Sequence, residues 1–134
     1  MASDVAYKLT SGWRREQIPD DDVLYMRVHK QHVIGGKLQP GAFRNQPKSD
    51  PDAGMSADWA KYSTSEEARQ RARIPADNYV VEFRAGAART IPGQTVVHSP
   101  DEATDNRAHT DVFGEKTAEA RTLFLDVTNL LELI

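Results

Sequence analysis

The 134-residue sequence contains no cysteine. This absence excludes disulfide bonds, cysteine-ligated zinc and thiol catalysis, and it is compatible with a reducing compartment. Long hydrophobic runs are missing as well. The opening MASDVAYKLTSGWRRE lacks the apolar core of a signal peptide, and no later run approaches the length that spans a membrane. We therefore expect a soluble, cytoplasmic protein that does not associate with membranes.

An excess of charge of either sign is also lacking. The chain carries 17 Lys and Arg residues against 20 Asp and Glu residues, for a formal net charge of −3. Such a balance creates no global field that would attract nucleic acid, so nucleic-acid binding is not indicated, and any phosphate would need a local basic patch. The apolar residues nevertheless cluster in periodic runs, which indicates a folded chain with one core.

The pattern of polar and apolar residues predicts an N-terminal arm over residues 1–21 and a single α+β domain over residues 22–134. We expect a small, mostly antiparallel sheet of four or five strands with two helices packed on one side. The predicted strands are residues 23–29, a hairpin turned at Gly35-Gly36, and residues 79–84, 95–98 and 107–113. Residues 39–54 are predicted to form a long irregular loop, because prolines and glycines recur through them.

The two predicted helices have clear sequence signals at their ends. Thr64 and Glu67 have the spacing of a capping box, and Pro75 ends the first helix. The second helix begins after Thr117, and its apolar positions recur with a helical period as far as Ile134.

The first predicted strand presents a polar face. Alternation along LYMRVH places Tyr25, Arg27 and His29 on one side, while the apolar residues between them face the core. Arginine supplies a fixed fork of donors, and histidine can donate, accept or titrate near neutral pH, so this face can bind a small anionic ligand. The alternative is an ordinary solvent-facing side of an antiparallel sheet. If the three residues form a ligand face, Arg27→Ala is expected to cost no more than about 0.5 kcal/mol.

A second polar set lies in HSPDEATDNRAHTD, where His98 and His109 are predicted on successive strands joined by a loop that contains Asn106. Two histidines at one sheet end can act as acid and base in phosphodiester cleavage. They can also bind a metal, with Asp111 as a third ligand. Neither spacing matches a known metal motif such as H-E-x-x-H, so no metal site is assigned.

Aromatic and basic residues surround the start of the first helix. Trp59 and Tyr62 can stack a base or a nicotinamide, although aromatic residues at this place more often fix a helix start to the core. Arg69, Arg71 and Arg73 share the helix with glutamates and are predicted to form a solvated face.

The runs LYMRVH, AFR, MSADWAKYSTSEEA, GQTVVH and NRAHTDVFGEKT resemble a family of small stand-alone bacterial proteins that has no established activity. The resemblance spans most of the chain from Leu24 onward. It implies that residues in these runs share a site. Together with the strand face and the histidines, it completes the set of ligand- or partner-binding candidates: Tyr25, Arg27, His29, Arg44, Asp58, Trp59, His98, Asn106 and His109.

LYMRVH also resembles the opening strand of ADP-ribosyltransferase-fold proteins, such as DNA-modifying toxins and RNA 2′-phosphotransferases. In that family an Arg or His on the first strand contacts NAD, which would correspond to Arg27 or His29. The sequence departs from the family at Ser63-Thr64-Ser65, which is typical of a helix cap rather than a strand end. No downstream glutamate lies in a recognisable catalytic strand.

These observations favour a non-enzymatic binding or accessory module of a bacterial system, with no cofactor, that presents Arg27, His29 and His109 to a protein partner or a small anionic ligand. The alternative is an enzyme that acts on nucleotide or nucleic-acid phosphates, either by ADP-ribosyl transfer from NAD or by metal-independent cleavage. Geometry separates the two, because an enzyme needs its histidines and arginine to converge in a concave site.

Overall fold

The computed structural model describes residues 12–45 and 54–132. Its strands are β1 (Val23–His29), β2 (Val33–Ile34), β3 (Lys37–Leu38), β4 (Met55–Trp59), β5 (Asn78–Arg84), β6 (Thr95–His98), β7 (His109–Phe113) and β8 (Asn129–Leu130), and its α-helices are α1 (Ser65–Gln70), α2 (Ala85–Thr90) and α3 (Ala118–Val127). The predicted α+β class is confirmed. Across the described residues, no helix has the length and apolar character needed to cross a membrane.

The main sheet has six strands in the order β6-β7-β4-β1-β5-β8, and all its neighbouring strands are antiparallel. It is therefore larger than the four or five strands expected. The smaller sheet, β2 with β3, is the predicted hairpin, and both of its turn glycines, Gly35 and Gly36, have positive φ. A turn with two positive φ angles matches the twist of an antiparallel pair, which is why Gly-Gly is favoured there.

One face of the sheet meets the main core. Leu24, Met26 and Val28 of β1 are buried on this face, as their alternation predicts. Helix α3 covers it with Phe124, whose ring stacks on Phe43 at a centroid distance of 5.0 Å. Helix α2 packs its buried alanines into the same core.

Helix α1 lies on the opposite face. Its capping box, Thr64 with Glu67, is formed as predicted. Ala68 is fully buried, and Val80 on the same side of β5 is fully buried as well. A methyl side chain lets the helix axis approach the sheet closely, so this short helix packs against β1 and β5. The helices thus lie on both faces rather than on the one side expected.

Three elements differ from the sequence expectations. No strand was predicted over β4 and no helix over α2, although the structure has both. The C-terminal helix ends at Val127, because Thr128 is extended and the chain then pairs with β5 as β8. Leu130 therefore packs against the core from a strand rather than from a helix.

The predicted arm is described from residue 12, and within it Ile18 is part of the core. Of the predicted loop over residues 39–54, the first part forms a 3-10 turn, Pro40–Ala42, that leads into the buried Phe43. Residues 46–53 of that loop lie outside the described residues.

Candidate functional site

A cavity of about 340 Å³ opens on the polar face of the sheet. Its floor comes from β1, β4 and β7, and its rim comes from the loop before β7 and the end of α1. Among the sequence candidates, those that line this cavity are Tyr25, Arg27, Asp58, Asn106 and His109.

The cavity lies where two central strands stop pairing. The register of β1 with β4 extends over only two residue pairs, Leu24 with Trp59 and Tyr25 with Asp58. The next residues of both strands, among them Arg27 and Ser56, line the cavity instead of continuing the ladder. Asp58 is also the register partner of His109 on β7, so Tyr25, Asp58 and His109 form one row across the sheet.

Asp58 is the centre of the polar network. It is only 4% exposed, and its Oδ1 atom accepts a hydrogen bond of 2.8 Å from the amide of Asn106. Its Oδ2 atom accepts from Nη1 of Arg71 at 3.2 Å and faces Nη1 of Arg27 at 3.5 Å. A buried carboxylate is costly unless it is paired and hydrogen-bonded, and here both oxygens have partners.

The two arginines are fixed from a second side. Nη1 of Arg27 also donates to the carbonyl of Ala68 at 2.8 Å, and Nη1 of Arg71 donates to Oγ of Ser63 at 2.8 Å. Within the described residues, every hydrogen bond of these two guanidinium groups is made by an Nη1 atom. The Nε and Nη2 donors of both groups therefore have no protein partner among the described residues, and both arginines line the cavity.

His109 has a defined orientation. Its Nδ1 atom lies 3.0 Å from both the carbonyl and the hydroxyl oxygen of Ser99, and its Nε2 atom lies 3.3 Å from Oγ of Ser56. Oγ of Ser99 donates in turn to Oδ2 of Asp111 at 2.7 Å. Gly54 permits this arrangement, because a Cβ atom at that position would lie 2.7 Å from Cβ of Asp111.

His98 does not join the cavity. It pairs with Thr110 across β6 and β7, and since successive residues of a strand point to opposite faces, His98 and His109 lie on opposite sides of the sheet. The predicted acid–base pair of histidines is therefore wrong. His98 is 1% exposed and forms edge contacts with the ring of Trp59, which is itself buried in the core.

Each ring nitrogen of His98 forms a hydrogen bond with a backbone group. Its Nδ1 atom accepts from the backbone N–H of Glu16, and its Nε2 atom donates to the carbonyl of Arg107. Burial lowers the pKa of His98, and the hydrogen bond to Arg107 offsets part of that effect. The neutral ring thus fastens the segment around Glu16 to the sheet. Trp59 is likewise structural, with its Nε1 atom donating to Asp22 at 2.9 Å.

Two further sequence candidates, His29 and Arg44, lie outside the main cavity. His29 is exposed at the end of β1, where its Nδ1 atom accepts from the backbone N–H of Gln31 and so caps a short turn. It borders a separate shallow depression that shares Arg27 and Arg71 with the main cavity. Arg44 is exposed next to the core-facing Phe43 and does not line the cavity.

Sequence reasoning missed Arg71, Ser56 and Ser99. Arg71 was assigned to a solvated face, although it follows Ala68 by three residues and so shares the sheet-facing side of the helix. That spacing is a usable signal. Ser56 had a signal as well, since residues 55–59 alternate apolar and polar side chains as a strand does. Ser99 had none, because it acquires its neighbours only through the pairing of β6 with β7.

Within residues 12–45 and 54–132, no three His, Asp or Glu side chains are grouped so as to hold a metal ion. Comparison with protein-family models, with curated proteins and with solved structures found no match. Function is therefore argued from the cavity alone.

Proposed function

We propose that this protein binds a small anionic ligand, through a phosphate or carboxylate group, in the cavity between Arg27 and Arg71. One observation carries the proposal: two guanidinium groups that line the cavity converge on a single oxygen of the buried Asp58, and their Nε and Nη2 donors have no partner among the described residues. Arginine forks bind planar or tetrahedral oxyanions through paired hydrogen bonds.

Preorganisation supports the proposal. Each guanidinium is held both by Asp58 and by a second acceptor, so little side-chain entropy remains to be lost when an anion binds. The Asp58 carboxylate offsets one positive charge, but its two oxygens are already occupied and do not face an incoming anion as open acceptors.

The size of the cavity favours a small molecule over a protein partner. A volume of about 340 Å³ is at the lower end of ligand pockets, which range from about 300 to 1,000 Å³. It suits a ligand smaller than a dinucleotide such as NAD, for example a mononucleotide, a sugar phosphate or a short dicarboxylate.

The proposal is tested by calorimetric titration of the purified protein with succinate, inorganic phosphate and 5′-AMP at matched ionic strength. We expect at least one of these probes to bind and to raise the melting temperature. Arg71→Ala should weaken that binding by about tenfold or more, as expected for a lost charge-assisted contact, and Arg71→Lys should recover part of it because the charge returns without the fork.

Arg73→Ala is the matched control, since Arg73 lies in the chain just after α1 but is exposed and outside the main cavity. Its affinity should equal that of the wild type. The proposal fails if none of the three probes binds, or if Arg71→Ala and Arg73→Ala bind the probes equally well while both melt as folded proteins.

A further inference from the structure

We propose that Ser56 is a nucleophile activated by His109, and that the cavity hydrolyses small carboxylic esters that carry an additional carboxylate or phosphate group. The choice of substrate class rests on the anion site proposed above. The nucleophile itself rests on a separate set of contacts among Ser56, His109, Ser99 and Asp111.

The tautomer of His109 follows from its neighbours. The carbonyl oxygen of Ser99 can only accept, so Nδ1 of His109 must carry the proton that joins them at 3.0 Å. The hydroxyl of Ser99 uses its own proton on Asp111 and can therefore only accept from His109. In the neutral ring, Nε2 then holds a lone pair that faces the hydroxyl of Ser56.

This chain of contacts has the parts that an activated serine requires. A nucleophile lies next to a base, and the base is oriented by a third group. Here the third group is a Ser99 hydroxyl that links the imidazole to the carboxylate of Asp111. The 3.3 Å separation between Oγ of Ser56 and Nε2 of His109 is slightly long, as is common before substrate is bound.

Ser56 is also placed to meet a substrate. It is exposed, and it lines the same cavity as Arg27 and Arg71. The side chain therefore has access to a molecule whose anionic group is held by the two arginines.

The reaction balances without a metal or a redox partner. Oγ of Ser56 forms a bond to the ester carbonyl carbon while its proton passes to Nε2 of His109. The tetrahedral intermediate collapses with cleavage of the bond to the alkoxy oxygen, and the departing alcohol takes the proton from His109. Water then attacks the acyl carbon and gives its proton to Nε2 of His109. The bond between that carbon and Oγ of Ser56 breaks, His109 returns the proton to Oγ, and the free acid is released.

The test compares p-nitrophenyl hemisuccinate, which keeps a carboxylate, with the neutral p-nitrophenyl butyrate. We expect the wild type to hydrolyse the hemisuccinate with a kcat/KM about tenfold higher than that for the butyrate. Ser56→Ala and His109→Gln should each lower kcat/KM by about 100-fold or more. Ser65→Ala, a serine at the start of α1 and away from His109, should match the wild type.

A fluorophosphonate probe provides a second readout, because it modifies activated serines much faster than ordinary ones. Mass spectrometry should locate the label on Ser56 in the wild type and in Ser65→Ala, and His109→Gln should abolish it although Ser56 is still present. Thermal melts establish that each variant is folded.

The outcomes separate this inference from the proposed anion site. If succinate binds through Arg71 but no ester is cleaved and Ser56 is not labelled, the nucleophile is refuted and the anion site stands. If both esters are cleaved equally through Ser56 and no anion binds, the anion site and the substrate class are refuted. Hydrolysis that persists in folded Ser56→Ala overturns the assignment of Ser56.

Discussion

Asn106 donates its side-chain amide to Oδ1 of Asp58 over 2.8 Å, and both side chains are buried. The carbonyl oxygen of the same Asn106 side chain accepts from the backbone N–H of Ala108 at 3.1 Å. One amide therefore fastens the loop before β7 to the buried carboxylate on β4. This bond holds the rim of the cavity in position, as strand pairing holds its floor.

Replacing Asn106 by Ala should lower the free energy of unfolding by about 2–3 kcal/mol. The substitution leaves a buried carboxylate oxygen and a buried N–H without partners, and the cost of such groups is of that order. Urea denaturation measures it. Asn129→Ala, at an exposed position on β8, should stay within about 0.5 kcal/mol of the wild type. Equal stability of the two variants would contradict the role given to Asn106.

Arg27 is expected to be more than a surface residue. Arg27→Ala removes contacts to Asp58 and to the carbonyl of Ala68, so we expect a loss of about 1–2 kcal/mol in the free energy of unfolding. This loss is larger than the value of about 0.5 kcal/mol that the alternation of β1 alone predicts. Arg73→Ala should cost almost nothing in the same measurement. A loss for Arg27→Ala no larger than for Arg73→Ala would show that its bond to Ala68 does not stabilise α1.

Asp101 lies on the rim of the cavity and accepts from the backbone N–H of Ala103. Asp101→Asn keeps an acceptor for that N–H but removes a negative charge near the bound oxyanion. We expect affinity for the anionic probe to rise about threefold, as for the loss of a like-charge repulsion in partly solvated surroundings. Asp105→Asn is the control, because Asp105 has a φ of +54° that asparagine also tolerates. Weaker binding by Asp101→Asn would indicate that Asp101 contacts the ligand directly.

Stability should decrease on mild acidification because of His98. Burial lowers the pKa of His98 in the folded protein, so below the unfolded value of about 6.5 the unfolded chain binds more protons than the folded one. The free energy of unfolding therefore falls as the pH falls from about 7 toward the lowered pKa. Urea denaturation at successive pH values measures the slope. His98→Gln should reduce the slope, while His32, whose pKa is also lowered by burial, retains a part of it. An unchanged slope in His98→Gln would assign the effect to another group.

Phe124 anchors α3, with its ring stacked on Phe43 and edge-on to Phe83. Its side chain is fully buried, so Phe124→Ala should lower the free energy of unfolding by about 3–5 kcal/mol. Thr122→Ala, on the exposed side of the same helix, provides the control. A small effect of Phe124→Ala would mean that α3 is an appendage rather than part of the core.

Much of the scaffold follows from local sequence signals. The alternation in LYMRVH predicts both the bounds and the two faces of β1, and Thr64 with Glu67 predicts the start of α1. Gly35-Gly36 predicts the hairpin, because few other residues accept two successive positive φ angles.

The site could be predicted only in part, because its geometry depends on burial and on strand pairing. Residues 55–59 alternate as a strand does, but the run is short and Ala57 and Asp58 are of types depleted in strands, so β4 depends on its pairing with β1 and β7 on both sides. The partners of Asp58 come from α1, β1 and a loop, and no local pattern brings them together. Similarly, the separation of His98 from His109 depends on the register of β6 with β7, which a one-residue shift would reverse.

The partners of Asp58 also have a consequence for the order of folding. Arg71, Arg27 and Asn106 lie 13, 31 and 48 residues away from it along the chain. Each contact closes a loop whose entropic cost must be met before the contact stabilises anything, so contacts of this kind form late and slow the folding of sheet proteins. A chain in which these contacts have not yet formed has no cavity. Ligand binding then distinguishes the fully folded molecule from its precursors, and a bound ligand stabilises only the final state.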